Sequence, residues 1–285
     1  MEDAMEQAFG NGRHRERIMT TTAIQAALAI GSGGVIGLVL GLVGGGGSIL
    51  AVPLLVYLVG IPSPHVAIGT AAVAVALNAA FGLVAHARQG TVKWRCALVF
   101  AGAGIVGSAI GATAGKAVDG QRLLALFGGI MIVVALAMLH GKSEAVNANV
   151  RLSLSSASVL LPWLLGTGFG VGLLSGFFGI GGGFLIVPGL ILATGMPLTN
   201  AVGTSLLAVT AFGLTTAATY AVSGLVDWPV AALLLIGGAT GSVAGIRLNI
   251  VLAQQKRLLT VLFSGVVMAV GAVLLIRGLI TASGA

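Results

Sequence analysis

The sequence predicts an all-α protein that crosses a membrane many times. Of its 285 residues, 57% are hydrophobic and only 7% are charged, whereas about 25% of the residues in a soluble domain are charged. Apolar stretches longer than about 18 residues recur along the chain, and each can span the hydrocarbon core of a bilayer. The two halves of the chain also align with each other. We therefore expect a polytopic membrane protein made of two related helical units.

An internal repeat divides the chain. Residues 41–59, GLVGGGGSILAVPLLVYLV, align with residues 176–194, GFFGIGGGFLIVPGLILAT. The alignment continues through a Gly-Thr pair and then a G-x-V-x-W pattern, at residues 90–94 and 224–228. So many shared residues of uncommon type indicate gene duplication. The predicted organisation is a cytoplasmic polar tail at 1–19, a first transmembrane repeat at 20–141, a linker at 142–155 and a second transmembrane repeat at 156–285.

Each half is predicted to contain four long spans and one short apolar piece. The short pieces, at about residues 48–59 and 183–194, are too short to cross a bilayer comfortably at 1.5 Å per residue. We interpret them as re-entrant or broken half-helices. The eight long spans are predicted at about residues 22–43, 65–87, 96–116, 121–140, 156–178, 200–222, 229–252 and 257–279.

The positions of the 14 Lys and Arg residues favour one of two topologies. Eight spans in two parallel four-helix repeats place nine of them inside and five outside, whereas ten spans in 5+5 inverted repeats place six inside and eight outside. Because positive residues are enriched in cytoplasmic loops, we favour eight spans and keep the inverted arrangement as the alternative. Three arginines before the first span predict a cytoplasmic N-terminus in the cytoplasmic membrane: Arg13, Arg15 and Arg17.

Two runs of glycine predict that helices are interrupted inside the membrane. Each glycine costs about 1 kcal/mol in a helix interior relative to alanine. Broken backbone at membrane depth must be buried in protein or line a water-filled cavity. The half-helix that follows presents unpaired N–H groups and a positive dipole end, which attract anions. Close helix packing is the alternative explanation. The candidate substrate-binding residues here are Gly44, Gly45, Gly46, Gly47 and Ser48 in the first half and Gly181, Gly182 and Gly183 in the second.

Hydroxyl and imidazole groups extend the candidate site. Gly69 and Thr70 in the first half match Gly203 and Thr204 in the second, and Ser205 follows. Their hydroxyls can donate to an anion's oxygens, although Ser and Thr in helices also bond their own backbone. If transport is coupled to protons, the candidate groups are the imidazoles of two histidines. These are His65 and His86.

The charge pattern excludes several function classes. Beyond the N-terminal tail the acidic residues are Asp119, Glu144 and Asp227, and all three lie at predicted span ends. Cation transport is therefore disfavoured, because cation carriers usually keep a carboxylate inside the membrane.

Other function classes are also disfavoured. The basic residues are scattered and form no patch for nucleic acid. No catalytic motif falls in the spans, and a single cysteine, Cys96, cannot supply a cysteine metal cluster. We expect no enzyme activity, cofactor or metal.

The doubled motif resembles that of the TauE/SafE family of membrane permeases, the sulfite exporter family. The first copy is GLVGGGGSILAVPLL followed by P-x-x-x-A-x-GT, and the second is GFFGIGGGFLIVPGL followed by P-x-x-x-A-x-GTS. The resemblance covers about residues 24–280. It implies a permease, and an exporter in particular, for small sulfur-containing anions such as sulfite, sulfoacetate or other sulfonates.

The expected function is therefore secondary transport of a small anion, with the lipid bilayer and the substrate as partners. An anion channel, or a transporter of another small organic anion, is the alternative. Saturable, gradient-coupled flux separates a carrier from a channel. A homo-oligomer is compatible with the sequence, and a membrane-embedded enzyme is disfavoured.

Overall fold

In the computed structural model of the chain, all regular secondary structure among the described residues is helical. These are residues 23–42, 45–140, 157–179, 181, 183–251 and 256–283, so the predicted tail at 1–19 and the linker at 142–155 lie outside them. They form ten α-helices and one 3-10 helix, Gly45–Leu50. The α-helices are α1 Ala23–Leu42, α2 Ala51–Tyr57, α3 Pro64–Arg88, α4 Trp94–Ala117, α5 Gly120–His140, α6 Ala157–Phe178, α7 Gly183–Thr194, α8 Leu198–Val222, α9 Trp228–Val251 and α10 Lys256–Ser283.

The helices confirm a polytopic membrane protein. Among the described residues, seven helices are long and apolar enough to cross a bilayer, and they coincide with the first seven predicted long spans. The eighth predicted span corresponds to α10, in which Ser264–Gly278 forms a shorter apolar stretch. The two predicted short pieces are α7 and the helical stretch Gly47–Tyr57.

Glycine lets two pairs of helices pack backbone to backbone. On α4, a methyl group added to Gly111 would overlap the carbonyl of Leu173 on α6. On α9, a methyl group on Gly241 would overlap the carbonyl of Gly34 on α1. In lipid, where apolar burial gives no driving force between helices, such close packing holds helices together. Each repeat therefore packs its first helix against the third long helix of the other repeat.

Corresponding helices of the two repeats run antiparallel. The first turns of α3 lie by the end of α8, since Gly69 faces Tyr220, and the later part of α3 lies by the start of α8, since Gly82 faces Leu206. The pair α5 and α10 behaves in the same way, because Gly278 packs against Ala125 near the start of α5. We call the end of the bundle at which α3 begins and α4 ends the Lys116 end, and the opposite end the Lys93 end.

This antiparallel pairing corrects the favoured topology. Two parallel four-helix repeats would orient α3 and α8 alike, whereas 5+5 inverted repeats orient them oppositely, as observed. The count of positive residues pointed the other way because it weights every Lys and Arg equally. The Lys116 ammonium, for example, is hydrogen bonded within the protein to the carbonyl of Thr219.

Candidate functional site

The second glycine cluster interrupts the chain between α6 and α7. Helix α6 ends at Phe178 and α7 begins at Gly183. Between them, Gly179 and Gly181 have φ angles of 67° and 66°, a left-handed conformation that glycine adopts without steric cost. The predicted helix break is present, and the glycines are needed for its backbone conformation. Gly182 lies outside the described residues.

The first glycine cluster also interrupts a helix. Helix α1 ends at Leu42, and the 3-10 helix then leads directly into α2. The chain folds back tightly, because a methyl group on Gly47 would collide with the backbone of Ile36 and Leu40 on α1. Ser48 is fully buried. Gly44 lies outside the described residues, and Gly45 and Gly46 open the 3-10 helix.

The two interrupted segments come together in the middle of the bundle. A methyl group on Gly181 would lie 3.1 Å from Val75 Cγ1 and 3.7 Å from Val209 Cγ1, and these valines occupy the middle of α3 and α8. The 3-10 helix packs against α7 and also touches α3 and α8. The first break and the second half-helix therefore share one central region, which is walled by α3 and α8.

The paired threonines anchor loops of the opposite repeat. Thr70 Oγ1 accepts a hydrogen bond of 2.9 Å from the backbone N–H of Asp227, which immediately precedes α9. Thr204 Oγ1 accepts one of 3.0 Å from the backbone N–H of Lys93, which immediately precedes α4. Both threonines are fully buried. The alternative prediction was that each threonine hydroxyl bonds the backbone of its own helix, and these two bonds instead reach a loop of the other repeat. In both bonds the threonine oxygen is the acceptor, so the hydroxyl proton is not used.

The glycines beside these threonines allow the loops to approach. A methyl group on Gly69 would overlap the carbonyl of Leu225, and one on Gly203 would lie 2.5 Å from Thr91 Oγ1. Ser205 is different, because its hydroxyl donates to the carbonyl of Val202 in its own helix over 2.8 Å. The Gly-Thr pairs thus join the repeats, and the G-x-V-x-W pattern that follows each helix was the sequence signal for their partners.

The two candidate histidines lie at opposite ends of α3. At the Lys93 end, His86 Nδ1 is 3.0 Å from Thr91 Oγ1, and that hydroxyl donates its proton to the His86 carbonyl. With the hydroxyl proton used in this way, the hydroxyl oxygen can accept a hydrogen bond from a protonated Nδ1. At the Lys116 end, the ring of His65 lies 6.3 Å from the ring of Tyr220.

Two aspartates act as helix caps. Asp119 Oδ1 accepts from the backbone N–H groups of Gln121 and Arg122 at the start of α5. Asp227 Oδ1 accepts from that of Val230 in the first turn of α9. Both therefore stabilise helix N-termini at the ends of the bundle. In the part of the chain that the structure describes, no three His, Cys, Asp or Glu side chains gather.

Comparison with known proteins assigns the chain to a family. The family model described as Sulfite exporter TauE/SafE matches residues 29–274. The chain belongs to the TauE/SafE sulfite exporter family. As a TauE/SafE protein with seven long apolar helices in its described residues, it is a multi-pass membrane transporter.

Curated relatives of this TauE/SafE protein carry transporter names. A "Probable membrane transporter protein" of Xylella fastidiosa (strain Temecula1) is 50% identical over 248 residues, which cover 85% of this chain and 92% of the relative. The "Probable membrane transporter protein YdhB" of Bacillus subtilis (strain 168) is 29% identical over 218 residues, which cover 74% and 85%. No solved structure matches the chain significantly.

Proposed function

We propose that this TauE/SafE protein is a secondary transporter that exports small sulfur-containing anions such as sulfite, sulfoacetate or other sulfonates. The observation that carries the proposal is that Gly181 of the second break lies beside Val75 and Val209 in the middle of α3 and α8, while the 3-10 helix of the first break packs against α7. An unwound segment there exposes backbone N–H groups to a solute, and α7 adds the positive end of its helix dipole.

The chemistry of the surrounding residues suits an anion. The hydroxyl protons of Thr70 and Thr204 are not used in their loop bonds, so each can be donated to an oxyanion. Both described carboxylates outside the tail cap helices at the bundle ends. A site of neutral donors binds an anion weakly enough to release it, which transport requires.

The central region is closed in this conformation. Gly47, Ser48, Gly181 and Gly183 are all buried. A solute can therefore reach them only after the helices rearrange. Such a rearrangement is the behaviour of a carrier with alternating access, which inverted repeats support by exchanging their conformations.

Proton coupling at His65 and His86 is part of the same proposal. The two rings lie at opposite ends of α3, so each can exchange protons with a different side of the membrane when the nearby helices open. Replacing either histidine by glutamine is expected to abolish flux driven by a pH gradient, while exchange of substrate at equal pH continues. Gradient-driven flux in the double variant would exclude this coupling.

The transport proposal is tested by comparing Gly181→Ala with Gly224→Ala. Both glycines have positive φ, 66° and 68°, so alanine introduces similar backbone strain of about 1 kcal/mol. Only Gly181 adjoins Val75 and Val209, since nothing lies within 4 Å of a methyl group on Gly224. In proteoliposomes loaded with 35S-labelled sulfite, we expect Gly181→Ala to reduce flux at least tenfold and Gly224→Ala to retain it.

The same assay separates the alternatives. Equal flux in both variants would contradict the central site. Flux that rises linearly with sulfite concentration, without saturation or counterflow, would identify an anion channel. A wild-type protein that moves another organic anion and no sulfite would make it a transporter of that anion.

A further inference from the structure

A cluster of three side chains at the Lys116 end is not used by the central site. We call Lys116, Tyr220 and His65 the Lys116 cluster. The Lys116 ammonium lies 5.9 Å from the centre of the Tyr220 ring, and the His65 ring lies 6.3 Å from the same ring. Helices α4, α8 and α3 each contribute one member, so the cluster joins both repeats.

Two polar groups of the cluster are buried without a partner. Tyr220 is fully buried, and its hydroxyl makes no hydrogen bond within the described residues. The same holds for His65 Nδ1. A phenol in such surroundings normally finds a partner, because an unsatisfied buried donor is destabilising. Both groups are therefore available to a ligand that enters between the helices.

The charge of Lys116 is balanced by no carboxylate in the part of the chain described. Its ammonium donates to the carbonyl of Thr219 over 3.0 Å and to the Ser223 hydroxyl over 2.8 Å. Both acceptors are neutral, and Ser223 is exposed at the end of α8. An ammonium held only by neutral oxygens keeps its attraction for anions that approach from this end.

Unpartnered polar groups continue from the cluster toward the centre. One helical turn before Tyr220 on α8, Thr216 is fully buried and its hydroxyl also has no partner within the described residues.

The second break lies further along the same helices. Seven residues before Thr216, Val209 lies beside Gly181 at the second break. On α3, Ile68 lies against Gly179 of that break, one turn beyond His65. The cluster thus lies between the exposed Ser223 and the interrupted segments.

We propose that the Lys116 cluster is a second anion-binding site, through which the substrate passes between the Lys116 end and the centre. This inference rests on the proposed function. The ligand is a small oxyanion: Lys116 supplies the positive charge, the Tyr220 hydroxyl donates to one oxygen, and His65 donates to another. On binding, Lys116 exchanges its bonds to Thr219 and Ser223 for the anion, which frees the end of α8 to move.

The test uses Lys116→Gln and Tyr220→Phe. The chain also contains a matched control pair, in which the guanidinium of Arg277 lies 4.9 Å from the centre of the Tyr57 ring. Tyr57 is the other of the two tyrosines in the sequence, and its side chain is exposed. We expect Lys116→Gln to raise the KM for 35S-labelled sulfite in proteoliposomes about tenfold, and Tyr220→Phe to raise it by several-fold, because hydrogen bonds to a charged ligand are lost. Arg277→Gln and Tyr57→Phe should leave KM unchanged.

A structural role would give a different result. Loss of packing lowers the amount of inserted protein and its thermal midpoint at unchanged KM, whereas loss of a ligand contact raises KM at an unchanged midpoint. Tyr220→Phe keeps the ring and removes only the hydroxyl, so it remains informative if Lys116→Gln does not insert. A wild-type KM in Tyr220→Phe, with or without data for Lys116→Gln, would overturn the site.

Equilibrium binding separates this inference from the proposed function. Labelled sulfite is titrated into the detergent-purified wild-type protein and each variant. Weaker binding in the two cluster variants supports the site. Binding of equal strength in all proteins overturns the site and leaves the central transport site intact. If the wild-type protein neither binds nor transports sulfite, then sulfite is not the substrate. In that case the proposed sulfite site at the Lys116 cluster is overturned as well.

Discussion

The hydroxyl oxygen of Thr70 accepts a hydrogen bond from the backbone N–H of Asp227, 157 residues later in the chain. The equivalent bond joins Thr204 to the backbone of Lys93. Each repeat thus holds the turn that leads into the third long helix of the other repeat. These two bonds are partly buried and equivalent in the two repeats, so they link the inverted halves at both ends of the bundle.

Thr70→Val is expected to destabilise the protein by about 1–2 kcal/mol, because the partly buried Asp227 N–H loses its acceptor. Thr70→Ser keeps the acceptor and should retain most of the stability. The control is Thr113→Val, since Thr113 is exposed and bonds only the carbonyl of Ala109 in its own helix. Chemical unfolding monitored by tryptophan fluorescence measures the difference. Equal stability of Thr70→Val and Thr113→Val would contradict an anchoring role.

Two glycines of α4 should respond in opposite ways to alanine. Gly111→Ala drives a methyl group into the backbone of Leu173 and Phe177 on α6, which we expect to cost about 1–3 kcal/mol. Gly102 has nothing within 4 Å of an added methyl group, so Gly102→Ala should be neutral or stabilising by up to about 1 kcal/mol. The thermal midpoint in detergent gives the comparison. A similar loss in both variants would indicate that helix packing is not the reason for Gly111.

The inverted arrangement predicts that equivalent turns face opposite sides of the membrane. Gln89 and Ser223 are equivalent exposed positions after α3 and α8. In a Cys96→Ala background, which removes the single native cysteine, each is replaced by cysteine and treated with a membrane-impermeant maleimide on intact cells. We expect only one of the two to be labelled. Labelling of both, or protection of both until the cells are opened, would support parallel repeats.

The parts of the fold that depend on local sequence could be predicted. The breaks at the two glycine clusters follow from the cost of consecutive glycines in a helix, which is a local property of the sequence. The relative direction of the repeats is a tertiary property, so counting charges did not reveal it. In the same way, the loop partners of the Thr70 and Thr204 oxygens could not be predicted, because they lie more than 100 residues away in sequence.

The Lys116 cluster shows a second limit of sequence reasoning. Lys116 entered only as one charge in the topology count, and Tyr220 was not singled out. The two residues lie 104 positions apart in sequence, so no local pattern connects them. Their proximity follows from the packing of α4 on α8, which becomes visible only once the repeats are placed antiparallel.

The exchange of helices between the repeats, α1 against α9 and α4 against α6, has a consequence for how the molecule is assembled. Neither half encloses its own first helix, so a half expressed alone would leave that helix without its glycine-lined neighbour. Two separate polypeptides that end at His140 and begin at Ala157 would instead complete each other through these surfaces. The fold is in this sense a dimer carried on one chain, and its ancestor before duplication would have required two copies, inserted in opposite orientations, to form a single unit.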